Sequence, residues 1–541
     1  MQAKRNPPSK LRAIAFPVAL TLISSVMIVS QTTWRAVSHD LSSFLAPVVS
    51  ITNGHSGLYA TYFNVTPPGI HVTLLPWVWL FGPGIWSMYA LHSLFVVGHQ
   101  GTLFLALQKL LTPTDASLIF VATSVVMLTR DVFDEMLLST ELVGNTFILA
   151  GFCVLPFRST TPSLRLWAAG IGLLTFAVLV REVYVFAPIM AVLAFVWAYR
   201  GKANRLTATL KVVAWATVLG AGPPLTMLLA LEGLGPYARV LHLKRVLFPW
   251  PDASRLTLAP LDASWTFITL WPSLLAPAAA AAISIISIRR RQFPYVLLFC
   301  AIGVGLVGAA FTWQGKPASG HYLASLLPPL AGLLAISLVQ IRARLNRWSG
   351  FVGVLLLLVP ITALSETASE LKSLRSPATW WTSTLGTANQ ETRPSESIHP
   401  PRCTQVVYGW NPGAFYIASE SNPCSRYFLV NLIQYSPSHR AEYLLQLWSS
   451  PPAVVIYDQS GADLDVVAFE NDVLPWRSML ATCYQESDNR VFVQRLDQSA
   501  TRRCMLPFLQ NTLFNNLVLA PLSLDEILSI GVRQASAPPP R

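Results

Sequence analysis

Apolar runs of membrane-spanning length recur along the first two thirds of the chain, with short polar loops between them. A helix needs about 17–25 apolar residues to cross a bilayer, and somewhat fewer where it lines a polar site. The runs lie at 13–33, 69–81, 85–108, 115–129, 142–157, 166–181, 183–199, 208–231, 264–288, 293–312, 322–341 and 349–365. We therefore predict an α-helical polytopic membrane protein with about 11–13 transmembrane helices.

Clusters of basic residues between these runs predict which loops are cytoplasmic, because cytoplasmic loops carry an excess of Lys and Arg. The clusters are Arg158 with Arg165, Arg200 with Lys202 and Arg205, Arg289 to Arg291, and Arg342 with Arg344 and Arg347. Working back from them puts 232–263, 313–321 and everything after 366 outside. Counting forward from the basic N-terminus gives the opposite side for the C-terminal region. We follow the basic loops and suspect the shortest run, 69–81, of being re-entrant, unless a neighbouring span is miscounted.

Composition agrees with a membrane protein. Hydrophobic residues make up 53% of the chain and charged residues only 12%, with a mean hydropathy of +0.48. Soluble proteins carry about 25% charged residues. The net charge of +12 could indicate nucleic-acid binding, but the basic residues sit mainly in short clusters between apolar segments. That distribution follows from membrane orientation, so we expect no nucleic-acid partner.

The region from 366 to 541 differs in character from the membrane domain predicted for 1–365. Short segments rich in β-branched and aromatic residues predict strands, and a helix is predicted between them at 441–448. The predicted strands are 405–408, 426–430, 453–457 and 490–494. We expect a small α/β domain on the extracytoplasmic face.

Four of the six cysteines lie in this C-terminal region: Cys403, Cys424, Cys483 and Cys504. Four cysteines in one domain of an oxidising compartment normally pair. The simplest connectivity joins Cys403 to Cys424 and Cys483 to Cys504, although the sequence allows three connectivities. A zinc site is the alternative, but it lacks the support of a Cys-x-x-Cys spacing.

The long polar loop at 34–69, after the first apolar run, carries a single acidic residue, Asp40. It also contains Tyr59 and Asn64, and it ends in Pro67-Pro68-Gly69, where the prolines fix the backbone as apolar sequence resumes. A loop of this length and composition predicts a site at the bilayer surface. On position alone, an ordinary solvated carboxylate is the alternative interpretation of Asp40.

An acid shortly after the first span, the turn Gly57-Leu58-Tyr59 and the Pro-rich re-entry together resemble the first external loop of GT-C membrane glycosyltransferases. The resemblance covers roughly residues 10 to 365 and is nearest to bacterial relatives of lipid A aminoarabinose transferase and of protein O-mannosyltransferases. It implies transfer of a sugar from a polyprenyl-phosphate donor to an envelope lipid, glycan or protein, outside the bacterial cytoplasmic membrane. Asp40 would be the base of an inverting reaction, with Tyr59, Asn64 and Tyr322 contacting substrate.

The resemblance also implies a second carboxylate on a later external loop, which falls here at 130–141. Asp131 and Glu135 would share one helix face, with Asp134 beside them. A solvated helix end is the alternative interpretation. Facing carboxylates would also suit a divalent cation, and metal dependence stays open.

Two external loops carry basic residues that could hold the donor phosphate. The loop 232–263 contains Arg239, His242, Lys244 and Arg245, and the loop 313–321 contains Lys316 and His321. Cations outside the cytoplasm run against the usual charge bias, and a lipid phosphate would explain them. Contact with bilayer headgroups is the alternative.

Two other classes of function remain open from the sequence. A transporter would show paired repeats and charges within its spans, neither of which is evident. A non-catalytic assembly protein for envelope polysaccharide would keep working without the Asp40 carboxylate.

Overall fold

The computed structural model describes residues 10–33, 39–54, 57–60, 62, 66–127, 138–156, 163–247, 328, 331, 335, 403–407, 413, 416–417, 422–427, 437–457, 476–488, 491–495 and 497–519. Its first part is helical. The helices are α1 (Lys10–Thr33), α2 (His39–Thr52), α3 (Pro68–Phe81), α4 (Ile85–Leu110), α5 (Pro113–Met127), α6 (Thr140–Val154), α7 (Leu164–Val180), α8 (Phe186–Ala198), α9 (Arg205–Leu231) and α10 (Gly235–Leu247), with a 3-10 turn at Glu182–Val185.

The first eight apolar runs each correspond to a helix with similar bounds, and the predicted runs from 264 onwards lie outside the described residues, apart from three positions in 322–341. Among the described helices, α4 and α9 contain segments long and apolar enough to cross a membrane, Trp86–Leu110 and Arg205–Leu231, and the other apolar helices are shorter. The helix α2 was not predicted, because its 14 residues are too few to span and include polar Ser and His.

Contacts between α4 and α6 show which of their ends lie together. The backbone N–H of Leu138, just before α6, donates to the ring of His92 near the start of α4 (3.1 Å). At the other end, the Lys109 ammonium donates to the carbonyl of Cys153. The two helices therefore run in the same direction, and α5, which lies between them in sequence, runs in the opposite direction.

The helix α7 runs opposite to α6. Arg181, at the end of α7, forms an ion pair with Glu141 at the start of α6. The end of α7 and the starts of α4 and α6 therefore lie on one side of the bundle. We term this the outer side, because Lys109, Arg165 and Lys202 lie at the opposite ends of the helices, and an excess of basic residues predicts that those ends face the cytoplasm.

Both ends of α3 lie on the outer side. At its start, a Cβ added to Gly69 would come within 2.5 Å of the Leu179 carbonyl oxygen, at the end of α7. At its other end, the Trp77 indole N–H donates to the carbonyl of Ser87, at the start of α4 (3.0 Å). The helix α3 therefore does not cross the bundle, which agrees with a re-entrant 69–81. If 69–81 does not cross, the forward count loses one of its predicted spans. It then puts the C-terminal region on the same side as the basic loops do.

This topology predicts that the turn between α3 and α4 is reached from outside. A cysteine at Gly84 (Gly84→Cys) should react with a membrane-impermeant maleimide in intact cells. The matched control is Gly201→Cys, between α8 and α9, which should react only after permeabilisation. Both glycines have open space where a Cβ would stand. Protection of position 84 in intact cells would contradict the assignment.

The C-terminal part contains a four-stranded sheet: β1 (Thr404–Val407), β2 (Val454–Tyr457), β3 (Tyr484–Asp488) and β4 (Val491–Gln494), in the order β1-β2-β4-β3. The strands β1 and β2 are parallel, and β4 is antiparallel to both β2 and β3. Helices α11 (Pro437–Ser449), α12 (Trp476–Cys483) and α13 (Gln498–Leu519) accompany the sheet.

Three of the four predicted strands, and the predicted helix at 441–448, are present. The predicted strand at 426–430 is not seen in its described residues, since 426 and 427 lie in irregular structure and 428–430 are outside the description. The hairpin strand β3 was not predicted, because its sequence Tyr-Gln-Glu-Ser-Asp lacks the β-branched residues typical of strands. Two disulfides form, Cys403–Cys424 and Cys483–Cys504, which is the simplest of the three connectivities.

Candidate functional site

The predicted base, Asp40, occupies the first turn of α2. Residues 41–50 of this helix are all buried, which is unusual for a segment connecting two membrane helices. Loops normally run over the surface. The acid therefore belongs to a packed and rigid element rather than to a flexible loop.

One face of α2 packs on the membrane helices. Leu41, Phe44, Leu45, Val48 and Val49 belong to a hydrophobic cluster that includes residues of α3, α4, α6 and α7. Leu138, which falls in the predicted second external loop at 130–141, is part of the same cluster. The residue after Asp40 and the end of the second predicted acidic loop therefore lie in one region, on the outer side.

The opposite face of α2 packs on the C-terminal domain. Gly413 lies against the backbone of Ser42, where an added Cβ would come within 2.5 Å of the Ser42 carbonyl. Ala46 shares a small hydrophobic cluster with Val406 and other domain residues. One turn further, the Ser50 hydroxyl donates to the Asn422 side-chain oxygen (3.0 Å). Positions 42, 46 and 50 form one stripe along the helix, so α2 is held between the bundle and the domain.

The turn at Leu58 to Ala60 is held by a carboxylate from the end of α9. The backbone N–H of Tyr59 donates to both Glu232 carboxylate oxygens (2.9 Å each), and the N–H of Ala60 donates to one of them (2.8 Å). Burial raises the pKa of Glu232, and the hydrogen bonds from this turn and the positive charge of Arg426 oppose that rise. Glu232 thereby ties the loop after α2 to the membrane part.

Tyr59, a predicted substrate contact, lies within the packing of this loop. Its side chain is fully buried, and its hydroxyl donates to the Thr66 carbonyl (2.7 Å). Burial raises the pKa of Tyr59 well above its usual value, so the hydroxyl stays a neutral donor. These contacts give Tyr59 a part in holding the loop, and its contact with substrate stays a prediction.

The candidate phosphate-binding helix α10 begins beside this loop. The ring of Tyr237 lies 5.0 Å from that of Tyr59, and Val240 belongs to the same hydrophobic cluster as Leu58 and Tyr59. Arg239 lies between Tyr237 and Val240 in sequence and is half-buried. The structure therefore brings the start of α10 to the segment that follows α2.

The remaining predicted site residues fall outside what the structure describes, in whole or in side chain. Positions His242, Lys244 and Arg245 are in α10, but their side chains are not described. The same holds for the Asp40 side chain in α2. Asn64, Asp131, Asp134, Glu135, Lys316, His321 and Tyr322 lie outside the described residues.

Glu141, at the end of the predicted second loop, is buried in an ion pair. Its side chain is 1% exposed, and its carboxylate is paired with Arg181, whose guanidinium also donates to the Thr140 hydroxyl (2.9 Å). A carboxylate engaged in this way fixes the outer ends of α6 and α7 together.

Within the described ranges, no group of three or more His, Cys, Asp or Glu side chains could hold a metal ion. The carboxylates that the sequence predicted for a divalent cation, Asp131, Asp134 and Glu135, are outside those ranges. A metal role for them stays a prediction.

Two groups that shape this region were not predicted from the sequence, Glu232 and Asn422. Glu232 sits at the end of a long apolar helix, where an acid normally has no special meaning, and Asn422 lies in a polar stretch of the C-terminal domain. Only tertiary contacts reveal that both hold the loop and helix next to Asp40. The one available sequence signal is that Glu232 is the first acidic residue after Glu182.

Removing the Glu232 carboxylate should loosen the loop. In Glu232→Ala the N–H groups of Tyr59 and Ala60 lose a charged acceptor, which costs about 1.5–3 kcal/mol of stability. We expect a lower thermal midpoint in detergent and faster proteolysis within residues 55–66. Glu486→Ala, which removes an exposed acid on β3, is the control. Equal thermal midpoints and equal proteolysis rates in the two variants would show that the Glu232 carboxylate does not hold the loop.

No protein-family model and no curated protein match the chain. Among solved structures, it is similar to the oligosaccharyltransferase of Archaeoglobus fulgidus tethered with an acceptor peptide containing the NVT sequon. The identity is 11%, over 90% of this chain and 74% of that chain, with a TM-score of 0.53. It is also similar to ArnT from Cupriavidus metallidurans in the apo state, at 14% identity over 89% of this chain and 98% of that chain, with a TM-score of 0.52.

Both of these proteins are GT-C glycosyltransferases. At such low identities the likeness concerns the fold, and it extends over nearly the whole chain. The predicted fold class is thereby confirmed: the chain is a mostly helical polytopic membrane protein with a small mixed-sheet domain in its C-terminal part, and it has the fold of the GT-C membrane glycosyltransferases.

Proposed function

We propose that the protein is a membrane glycosyltransferase that moves a sugar from a polyprenyl-phosphate donor to an envelope acceptor. The observation that carries this proposal is the packing of α2, the helix that begins with His39-Asp40, between the outer side of the bundle and the C-terminal domain. A fixed acid at the junction of a membrane bundle and an external domain suits a reaction between a lipid-borne donor and an acceptor from outside. The GT-C fold supports the same conclusion.

In the proposed reaction the acceptor hydroxyl attacks the anomeric carbon of the donor sugar. The new bond joins the acceptor oxygen to that carbon, and the bond from the carbon to the phosphate oxygen breaks. Asp40 takes the proton of the attacking hydroxyl as general base. The polyprenyl phosphate leaves with the bonding electron pair. Because the hydroxyl attacks the face opposite the leaving phosphate, the configuration of the anomeric carbon is inverted.

Charge develops on the departing phosphate and has to be stabilised. We assign this role to basic residues of α10 and of the loop at 313–321. They are Arg239, His242, Lys244, Arg245, Lys316 and His321. The contact between Tyr237 and Tyr59 supports the part of α10, because it joins the start of that helix to the loop after α2. Asp131, Asp134 and Glu135 would supply further carboxylates, with or without a divalent cation.

The proposal includes an arrangement in the cell. The catalytic domain would comprise residues 1–365 in the bacterial cytoplasmic membrane, and residues 366–541 would form an extracytoplasmic domain. Asn64 and Tyr322 would contact substrate. Acceptor and donor would meet at the outer leaflet.

Reconstitution tests the function directly. The purified protein in liposomes, supplied with polyprenyl-phosphate sugars and an envelope extract from a deletion strain, should produce a glycan that mass spectrometry finds in wild-type envelopes and not in the deletion strain. Uptake of a sugar or lipid across the liposome membrane without transfer would instead indicate a transporter. An unchanged envelope glycan profile after deletion would contradict the proposal.

A further inference from the structure

We propose that the C-terminal domain is a positioning element for α2, and that the Cys403–Cys424 disulfide holds the part of the domain that does this. The inference rests on the proposed function only in assigning catalysis to α2. Its structural content concerns the segment 422–427, which we term the docking segment, and its contacts with α2 and the loop after it.

The docking segment contacts both elements through one side chain. The Asn422 side-chain oxygen accepts a hydrogen bond from the Ser50 hydroxyl of α2 (3.0 Å) and one from the Tyr62 hydroxyl of the following loop (3.4 Å). The Tyr62 side chain is 1% exposed, and its ring meets that of Tyr416 edge-on at 6.1 Å. Polar groups buried at such a contact are costly to separate, because they would lose their partners.

The position of Asn422 is set by strand β1 and by the disulfide. The N–H of Thr404 donates to the Asn422 carbonyl (3.0 Å), and the N–H of Cys424 donates to the Thr404 carbonyl (3.1 Å). Cys403, directly before β1, is bonded to Cys424. The docking segment is therefore fixed to the sheet at Asn422 itself and at Cys424, two residues later.

An ion pair anchors the docking segment to α11. Arg426 lies in the docking segment, is 6% exposed, and donates to the Glu442 carboxylate of α11 (2.6 Å). Its positive charge also lowers the pKa of Glu232 relative to burial alone. The segment is thus held to α11 through Arg426, and it contacts α2 and the following loop through Asn422.

The second disulfide provides a matched control. Cys483–Cys504 joins α12 to α13 and has the same sequence separation, 21 residues, as Cys403–Cys424. In the chain-entropy model the two bonds restrict the unfolded chain equally. Unlike Cys403–Cys424, the Cys483–Cys504 bond does not include a residue of the docking segment. A difference between the two removals therefore reports on docking and not on general stability.

The experiment compares Cys403→Ala/Cys424→Ala with Cys483→Ala/Cys504→Ala in the full-length protein. We expect hydrogen exchange of the α2 amides at 41–50 to rise only in the first variant. We also expect its kcat for sugar transfer to fall about 10- to 100-fold, since a small misplacement of a catalytic group has effects of that size, with KM for the donor lipid unchanged. Equal effects of both variants on exchange and on kcat would overturn the proposal.

Substitution of Asn422 provides a test that leaves both disulfides intact. Asn422→Asp keeps the oxygen acceptor for Ser50 and Tyr62, whereas Asn422→Leu removes it. We expect the Asp variant to retain exchange protection in α2 and the Leu variant to lose it. Identical protection in both would contradict the docking role. If the wild-type protein transfers no sugar, the proposed function fails, and the exchange measurements still decide this inference.

Discussion

Asp40→Asn should reduce sugar transfer by about 10²–10⁴-fold, the usual contribution of a general base. The amide has nearly the shape of the carboxylate but cannot take the proton of the acceptor hydroxyl. Single-turnover transfer in liposomes measures the effect on the chemical step. Thermal unfolding should be nearly unchanged, because the substitution conserves volume at the first turn of α2.

The matched control for this prediction is Asp115→Asn. Asp115 is also an acid in the first turn of a helix, α5, but it lies at the end of the bundle opposite to the outer side and accepts from the Thr112 hydroxyl (2.8 Å). The Asp115→Asn variant should transfer sugar at close to the wild-type rate. Full activity of Asp40→Asn would remove the base from the mechanism. Equal losses in both variants would assign the effect to folding.

Glu141→Leu should be the most destabilising single substitution among those considered. It leaves the Arg181 guanidinium buried, at 9% exposure, without its carboxylate partner. Breaking a buried ion pair from one side costs about 3–5 kcal/mol. We expect a large fall in the thermal midpoint in detergent, and a loosened contact between the outer ends of α6 and α7.

The double variant Glu141→Leu/Arg181→Met separates the pair energy from the cost of the orphaned charge. Replacing both members of a buried pair by apolar residues is often nearly neutral, so the double variant should recover most of the lost stability. A double variant as unstable as Glu141→Leu would show that the site needs the polar groups for another reason, such as the hydrogen bond to Thr140.

The membrane helices were predictable because the bilayer imposes a length and a polarity on any segment that crosses it. The basic loops conflicted with the count of spans, and 69–81 was the suspected non-crossing run because it is the shortest. The contacts of Gly69 and Trp77 agree. The helix α2 was missed because it is too short to span, and the domain that packs on one of its faces lies more than 350 residues away in sequence. No local pattern carries that information.

The same limit applies to the candidate site. Asp40 could be selected because the order of residues in its loop resembles a known motif. Glu232 and Asn422 could not, since their importance comes from the backbone N–H groups and hydroxyls that they meet only in the folded chain. Tyr59 illustrates the same limit: the sequence shows an aromatic residue with a hydroxyl, and only the fold shows that its side chain is buried.

An experimental structure with polyprenyl phosphate bound would show whether an acid on α2 and the basic residues of α10 serve one reaction centre. We expect the phosphate in contact with basic side chains of α10 or of the loop at 313–321, on the outer side, with the Asp40 carboxylate facing the same cavity. An Asp40 carboxylate directed into bulk solvent, with the phosphate bound elsewhere, would contradict it.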